Sequence, residues 1–312
     1  MLNDSSVNFG NFSSPSYPSK SFAFVCGIVM LLTSIMGIFG HLAIVLAVVK
    51  TKLLHQNIIN IFICSLSVND LTNLLFIQSL VLSSYLVYSW PFGNLLCFLI
   101  PEVSMILVSI SLVHHVFIGI HRYLVVAKHS FYVKIHKTGY AILIIICSRL
   151  YPIIISFFLM IFLSKNIMDL NSIIVYDPRI LRCVYRPKES LRISIIIIFT
   201  IFSPCVIIIL CFALILIFVR RISYQSSVRD KHRIQREIQI TKMFAMVFLM
   251  FIMGYFPYSL VRALDSKKTF PPDVYVIVTV LYALASCLNS LIFGLMNVTL
   301  RSAIFKLFLP KL

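Results

Sequence analysis

Ionisable and strongly polar side chains interrupt this sequence where they are costly. His41, Asp70, Glu102, Ser111, His121, Arg122, Arg149, Glu237 and Asn289 lie within or at the edge of long apolar runs. A charge in such a run has to find a counter-charge, an ion or water, because hydrocarbon supplies none of them. The spacing is not that of a catalyst. There is no His-Glu-x-x-His, no Gly-x-Ser-x-Gly and no pair of intramembrane aspartates, so an enzyme is not expected. What these residues can do is pair, hydrogen-bond, and coordinate a hard cation through oxygen. Glu102 and Arg149, opposite charges in the third and fourth runs, are expected to pair and to fix helix packing, because removing either would strand the other.

The elements that position them follow from composition. The chain has 312 residues, 60% hydrophobic and 12% charged, too apolar for a water-facing surface. Apolar runs extend over Phe22–Val49, Ile58–Val87, Leu95–Ile120, Gly139–Leu163, Leu191–Val219, Ile240–Leu264 and Val274–Met296. Each is long enough to cross about 30 Å of hydrocarbon as a helix, the form that satisfies its own backbone in lipid. The expected fold is an all-α membrane protein, a seven-transmembrane helix bundle over residues 22–296. It follows a polar segment, 1–21, and precedes a tail, 297–312, where Leu300, Ile304, Phe305 and Phe308 recur at helical spacing as in a short amphipathic helix on the inner leaflet.

Lys50, Lys52, Lys128, Lys134, Lys137, the basic cluster from Arg220 to Arg236, Arg301, Lys306 and Lys311 all fall on one side of these runs. That side is expected to be cytoplasmic and the N-terminus extracellular, in a plasma-membrane protein. The net charge of +17 is thus topological, a face for anionic lipids and cytosolic partners and not for nucleic acid. Asn3 and Asn11 head glycosylation sequons in the outer segment, whereas Asn297-Val298-Thr299, on the inner side, should be silent. Six cysteines lie inside apolar runs, where thiols act as small hydrophobes. Only Cys97 and Cys183 sit at loop level, and no Cys or His spacing suits zinc, so one disulfide on the oxidising side is the economical inference.

Several motifs occur in a recognisable order: Leu66-Ser67-Val68-Asn69-Asp70-Leu71 in the second run, Cys97 at the start of the third and His121-Arg122-Tyr123 at its foot. Pro204 follows in the fifth, Phe251 to Pro257-Tyr258 in the sixth and Asn289-Ser290-Leu291-Ile292-Phe293 in the seventh. Together they resemble the rhodopsin-like (class A) G-protein-coupled receptor family over nearly the whole chain. The resemblance implies a receptor that binds an extracellular ligand and activates a heterotrimeric G protein, with Cys97 and Cys183 bridging the third run to the second outer loop.

It also implies roles for the buried polar residues. Asp70, with Ser111, Ser286 and Asn289, stands where the family binds a sodium ion, and no other cofactor is expected. Two departures surround that site, since a family asparagine is His41 and another polar position is Ala285; a protonated His41 would compete with the cation. Arg122 and Tyr123 match the coupling end of the family's third helix. The acid that usually precedes this arginine is His121, which leaves Glu237 as its acidic partner and implies a somewhat raised basal activity. Tyr255, Phe212, Phe293 and Ser290 replace a tryptophan, two tyrosines and a proline of the family, so its activation switches do not carry over unmodified.

By position the ligand pocket should be lined by Ser104, Met105, Val108, Tyr255, Tyr258, Arg262, Tyr275 and Tyr282. Ser104 stands where amine receptors carry an aspartate, which argues against biogenic amines, and no lysine in the seventh run could bind retinal. Arg179, Arg182, Arg186, Lys188, Arg192 and Arg262 near the entrance favour an acidic group on the ligand, although Asp169, Asp177, Glu189, Asp265 and Asp273 share those loops. A peptide is the first expectation. A small acidic or lipid-like metabolite, or a chemosensory ligand, is the second, and a membrane transporter is the distant alternative.

Overall fold

The computed structural model describes residues 17–128, 132, 138–163, 174–185, 198–223, 228–265 and 269–308. Seven helices long and apolar enough to span a membrane are present among them. They are α1 (Lys20–Lys50), α2 (Ile58–Val87), α3 (Gly93–Ala127), α4 (Thr138–Leu163), α5 (Ser203–Ser223, entered through a wider π turn at Ile198–Phe202), α6 (Val228–Leu264) and α7 (Pro272–Met296). A shorter helix, α8 (Val298–Phe308), follows. Asn3 and Asn11, and the loop charges Asp169, Arg186, Lys188, Glu189 and Arg192, lie outside the described residues.

Helix α3 is the hub. It packs on α2, α4, α5 and α6, while α1 packs on α2 and α7, and α6 on α7. Its partners bury its polar face, so Ser104, Ser109, Ser111, His114, His115, His121 and Arg122 are all enclosed. The outward faces of α1, α4 and α5 carry exposed Phe39, Phe157, Ile154, Leu210 and Leu216, as a lipid-facing surface requires. Two glycines set the closest approaches. A Cβ on Gly254 would overlap that of Ala285, and one on Gly40 would overlap the Ser290 hydroxyl, so α6 and α1 can approach α7 only without those atoms.

The helices extend past the apolar runs. α6 starts at Val228, well before the run that begins at Ile240, because the polar stretch between is rich in Arg, Gln and Lys, good helix formers outside the lipid. Asn297 then does two jobs. Its Oδ1 accepts from the Leu300 amide as the N-cap of α8, and its amide donates to Asn60 Oδ1 at 3.1 Å, so the sequon asparagine is engaged in docking α8 against α2.

Two features have no counterpart in the apolar pattern. Residues Asn73–Gln78 form a π turn within α2. Between α4 and α5, β1 (Ile174–Asp177) and β2 (Arg182–Tyr185) form an antiparallel hairpin. Its turn ends at Leu181, whose φ of 51° is uncommon for a branched side chain. Burial and a 2.5 Å hydrogen bond from the Ser84 hydroxyl to the Leu181 carbonyl hold it there.

The expected Glu102–Arg149 pair does not form. Arg149 donates to Ser65, to its Oγ at 2.8 Å and its carbonyl at 3.2 Å, while Glu102 bonds Tyr185 of β2. The reason is depth. Ser148, beside Arg149, bonds His114 at 3.0 Å, and His114 lies twelve residues along α3 from Glu102, or roughly 18 Å at 1.5 Å per residue.

Candidate functional site

Polar groups that the sequence scatters through the spans collect at three levels. At the end where the basic residues lie, Arg122 is 1% exposed and reaches across to α6, donating from Nη1 to Glu237 Oε2 at 2.9 Å. Its Nη2 lies 2.9 Å from His121 Nδ1. A guanidinium has no lone pair to offer, so the imidazole is the acceptor, and His121 takes over part of the task of the missing acid. A neutral acceptor holds a guanidinium less strongly than a carboxylate does. Tyr123, next on the helix, is half-buried. Above this level, the Phe212 and Phe293 rings pack against Phe248 and Phe244, leaving an apolar seal where hydroxyls would otherwise sit.

In the middle of the bundle a cavity is lined by Asn69, Asp70, Asn73, Leu107, Val108, Ser111, Phe251, Tyr255, Tyr282, Ala285, Ser286 and Asn289. The cavity volume is about 20 Å³, enough for a single water or a small ion stripped of most of its hydration shell. Asn289 donates to Asp70 Oδ2 at 3.2 Å, Asn69 donates to Ser111 Oγ at 2.8 Å, and Asn289 Oδ1 is buried with no partner among the described residues. Three oxygens, from Asp70, Ser111 and Asn289, thus fit a hard cation. His41 completes the group from α1, with Nε2 2.9 Å from the Ser286 carbonyl and 3.5 Å from Asp70 Oδ2.

Toward the hairpin, six of the expected pocket residues gather in one neighbourhood. Met105, Val108, Tyr255 and Tyr282 share an apolar cluster, the Tyr255 and Tyr282 rings are 6.2 Å apart, and Ser104 and Tyr258 both meet Arg182. The other two do not line it. Arg262 donates to the Tyr185 carbonyl at 3.2 Å, and Tyr275 donates to Asp265 Oδ2 at 2.5 Å. Both belong to a clasp that ties hairpin to bundle, in which Arg179 pairs with Asp177 at 3.0 Å and Asp265 at 3.5 Å. Burial pushes the Asp265 carboxyl up. Hydrogen bonds from Tyr275, the amides of Thr269 and Phe270, and the Thr269 hydroxyl outweigh it and bring the pKa down to about 2.

Cys97 and Cys183 form the disulfide, with Cα atoms 5.3 Å apart. The remaining six cysteines are free. The profile of the family described as 7 transmembrane receptor (rhodopsin family) matches residues 40–293. The chain belongs to this receptor family. As a family member it is a multi-pass protein of the plasma membrane that works with a ligand and a G protein, and it is not an enzyme. Similar curated proteins include the melatonin receptor type 1A of Mus musculus, 28% identical over 92% of this chain and 80% of the relative. The protein trapped in endoderm-1 of Drosophila melanogaster is 25% identical over 87% and 74%. Squid rhodopsin shares the fold with a TM-score of 0.80 at 18% identity, over 94% of this chain and 87% of that structure.

The sequence missed Asn69, Asn73 and Phe251 as cavity residues and placed Arg182 at the entrance, whereas its side chain reaches Ser104 on α3. The asparagines carried a signal, being polar residues one turn apart on an apolar run. The depth of Arg182 carried none.

Proposed function

We propose that this receptor is switched by a small extracellular molecule bound between α3, α6 and α7 beneath the hairpin, and that it relays binding to a heterotrimeric G protein at the opposite, cytoplasmic end. The observation that carries the reading is the Arg122–Glu237 pair, which ties α3 to α6 at the basic face. Breaking that tie frees Arg122 and the adjacent Tyr123 for the G protein. A partly exposed ion pair of this kind contributes about 1 kcal/mol, so one ligand's differential binding is sufficient to shift the balance.

Between the two ends runs a chain of polar contacts. Ser104 neighbours the Tyr282 hydroxyl, Tyr282 donates to Asn73 Oδ1 at 3.4 Å, and Asn73 lines the cavity that holds Asp70 and Asn289. A ligand pressing on Tyr282 therefore acts on the cavity. Asp70, Ser111 and Asn289 would hold a sodium ion there, supplying a positive charge that favours the resting arrangement, with His41 competing for Asp70.

Orientation and ligand size have separate support. The disulfide lies at the hairpin end and the basic residues at the other, as expected if the hairpin faces the oxidising exterior. The hairpin's Arg182 reaches in to Ser104 and Tyr258, and relatives include receptors named for melatonin, a small molecule. These favour a small ligand over the peptide expected at first. The test is a metabolite and peptide screen on cells carrying a promiscuous G-protein reporter, with Arg122→Ala as silent control. A small-molecule response absent in that variant is expected, and a response that survives it contradicts the coupling role.

A further inference from the structure

The hairpin inserts the Arg182 cation into the bundle, and no described carboxylate pairs with it. Cys183 is bonded to Cys97 at the start of α3, so its neighbour Arg182 is held against that helix. Ser104 lies seven residues from Cys97, two turns along the same face and roughly 10 Å deeper. The long Arg182 side chain follows that face inward, where Nη2 donates to Ser104 Oγ at 3.0 Å and the guanidinium lies 5.7 Å from the centre of the Tyr258 ring. Arg182 is only 6% exposed. The left-handed turn at Leu181, fixed by Ser84, aims the strand that carries it.

The other two buried arginines in the described residues each meet a carboxylate. Arg122 has Glu237 and His121, and Arg179 has Asp177 and Asp265. Among the described residues, Arg182 has one hydroxyl and one aromatic face. The described acids nearest to it are committed elsewhere. Glu102 bonds Tyr185, Asp177 and Asp265 hold Arg179, and Asp273 accepts from the Ser19 amide. Enclosing a guanidinium without a carboxylate partner is costly unless an anion arrives. Tyr85, Tyr255 and Tyr282 lie within its electrostatic reach, a ring of phenols that can accommodate the apolar body of a ligand.

We propose that Arg182 and Ser104 form an anion subsite in the pocket, and that the ligand is a small organic acid whose carboxylate or phosphate pairs with the Arg182 guanidinium while its apolar part packs among Tyr255, Tyr258 and Tyr282. The proposal rests on the reading of this bundle as a receptor. Its test reads thermal stability, not signalling, so it fails or stands apart from the coupling role of Arg122.

The full chain in lipid nanodiscs is compared with Ser104→Asp, Ser104→Asn, Arg182→Met and the double variants. Aspartate at 104 supplies the missing anion internally, and asparagine has the same shape without the charge. The unfolding temperature of Ser104→Asp is expected to exceed that of Ser104→Asn by roughly 3 °C, with the difference vanishing when Arg182 is Met. Equal values for the two variants, or a difference that persists without Arg182, overturn the proposal. In the same assay 3-phenylpropanoate and lysophosphatidate represent a soluble acid and a lipid acid. At least one is expected to stabilise the wild type, at least tenfold more weakly in Arg182→Met, with 3-phenylpropanamide inert; the one acting at lower concentration names the source. Stabilisation by neither, or equally without Arg182, counts against it.

Discussion

The two ends of the bundle handle buried arginine in opposite ways. At the basic end Arg122 is held from two sides, by Glu237 on α6 and by its own neighbour His121. At the hairpin end Arg182 is also buried but, among the described residues, meets only Ser104 and the Tyr258 face. The first has its charge paired with a carboxylate of the protein, whereas the second has no carboxylate partner among the described residues. A switch needs one of each, since a ligand can shift an equilibrium only through a group that is better satisfied when it is bound.

The comparison fails most severely if the hairpin comes away from α3. Cys183→Ser should cost roughly 2–5 kcal/mol and remove most receptor from the cell surface, measured by labelling intact cells. Near-normal surface levels with an unchanged unfolding temperature would mean that the disulfide does not set the depth of Arg182. Overpacking the α6–α7 contact is next. Gly254→Val should lower stability by about 1–3 kcal/mol, because a side chain there meets Ala285 and the Leu281 carbonyl; an unchanged unfolding temperature would show that the helices part freely.

The clasp predicts a pH dependence with a definite sign. Asp265 has a folded pKa depressed to about 2, so its contribution is complete above the ordinary carboxylate range and is lost as pH falls from about 4 toward 2. Unfolding temperatures should therefore show no contribution from this acid between pH 5 and 8. Asp265→Asn should remove part of the fall below pH 4, and a variant whose acid limb matches the wild type would exclude the clasp from it. The smallest effect concerns Glu102 and Arg149. Their Gln variants should be additive within about 0.5 kcal/mol, as for residues without shared partners, and a larger coupling would restore the pairing that the structure lacks.

These contrasts also mark what the sequence could reveal. The seven spans were legible because lipid forces every backbone polar group into helix, so apolar length alone fixes them. Arg122, Glu237, Asp70 and Asn289 stood out as polar groups in or beside apolar spans, and their partners were legible from the motifs that resemble the receptor family. The Glu102–Arg149 pairing failed for want of depth. Membership of adjacent spans says nothing about a separation of twelve residues along α3. Arg182 was visible as a charge but not as a pocket residue, since its position depends on the disulfide, the Leu181 turn and the register of β2 acting together. The π turn in α2 left no mark that apolar periodicity could register.

If release of Arg122 from Glu237 turns the receptor on, nucleotide exchange on a purified heterotrimeric G protein, with receptor in nanodiscs and no ligand, should report it. Glu237→Gln should raise the basal rate about fivefold, the factor that roughly 1 kcal/mol provides, and Arg122→Ala should bring it to the receptor-free level. A basal rate that Glu237→Gln leaves unchanged, or that survives in Arg122→Ala, would contradict the account.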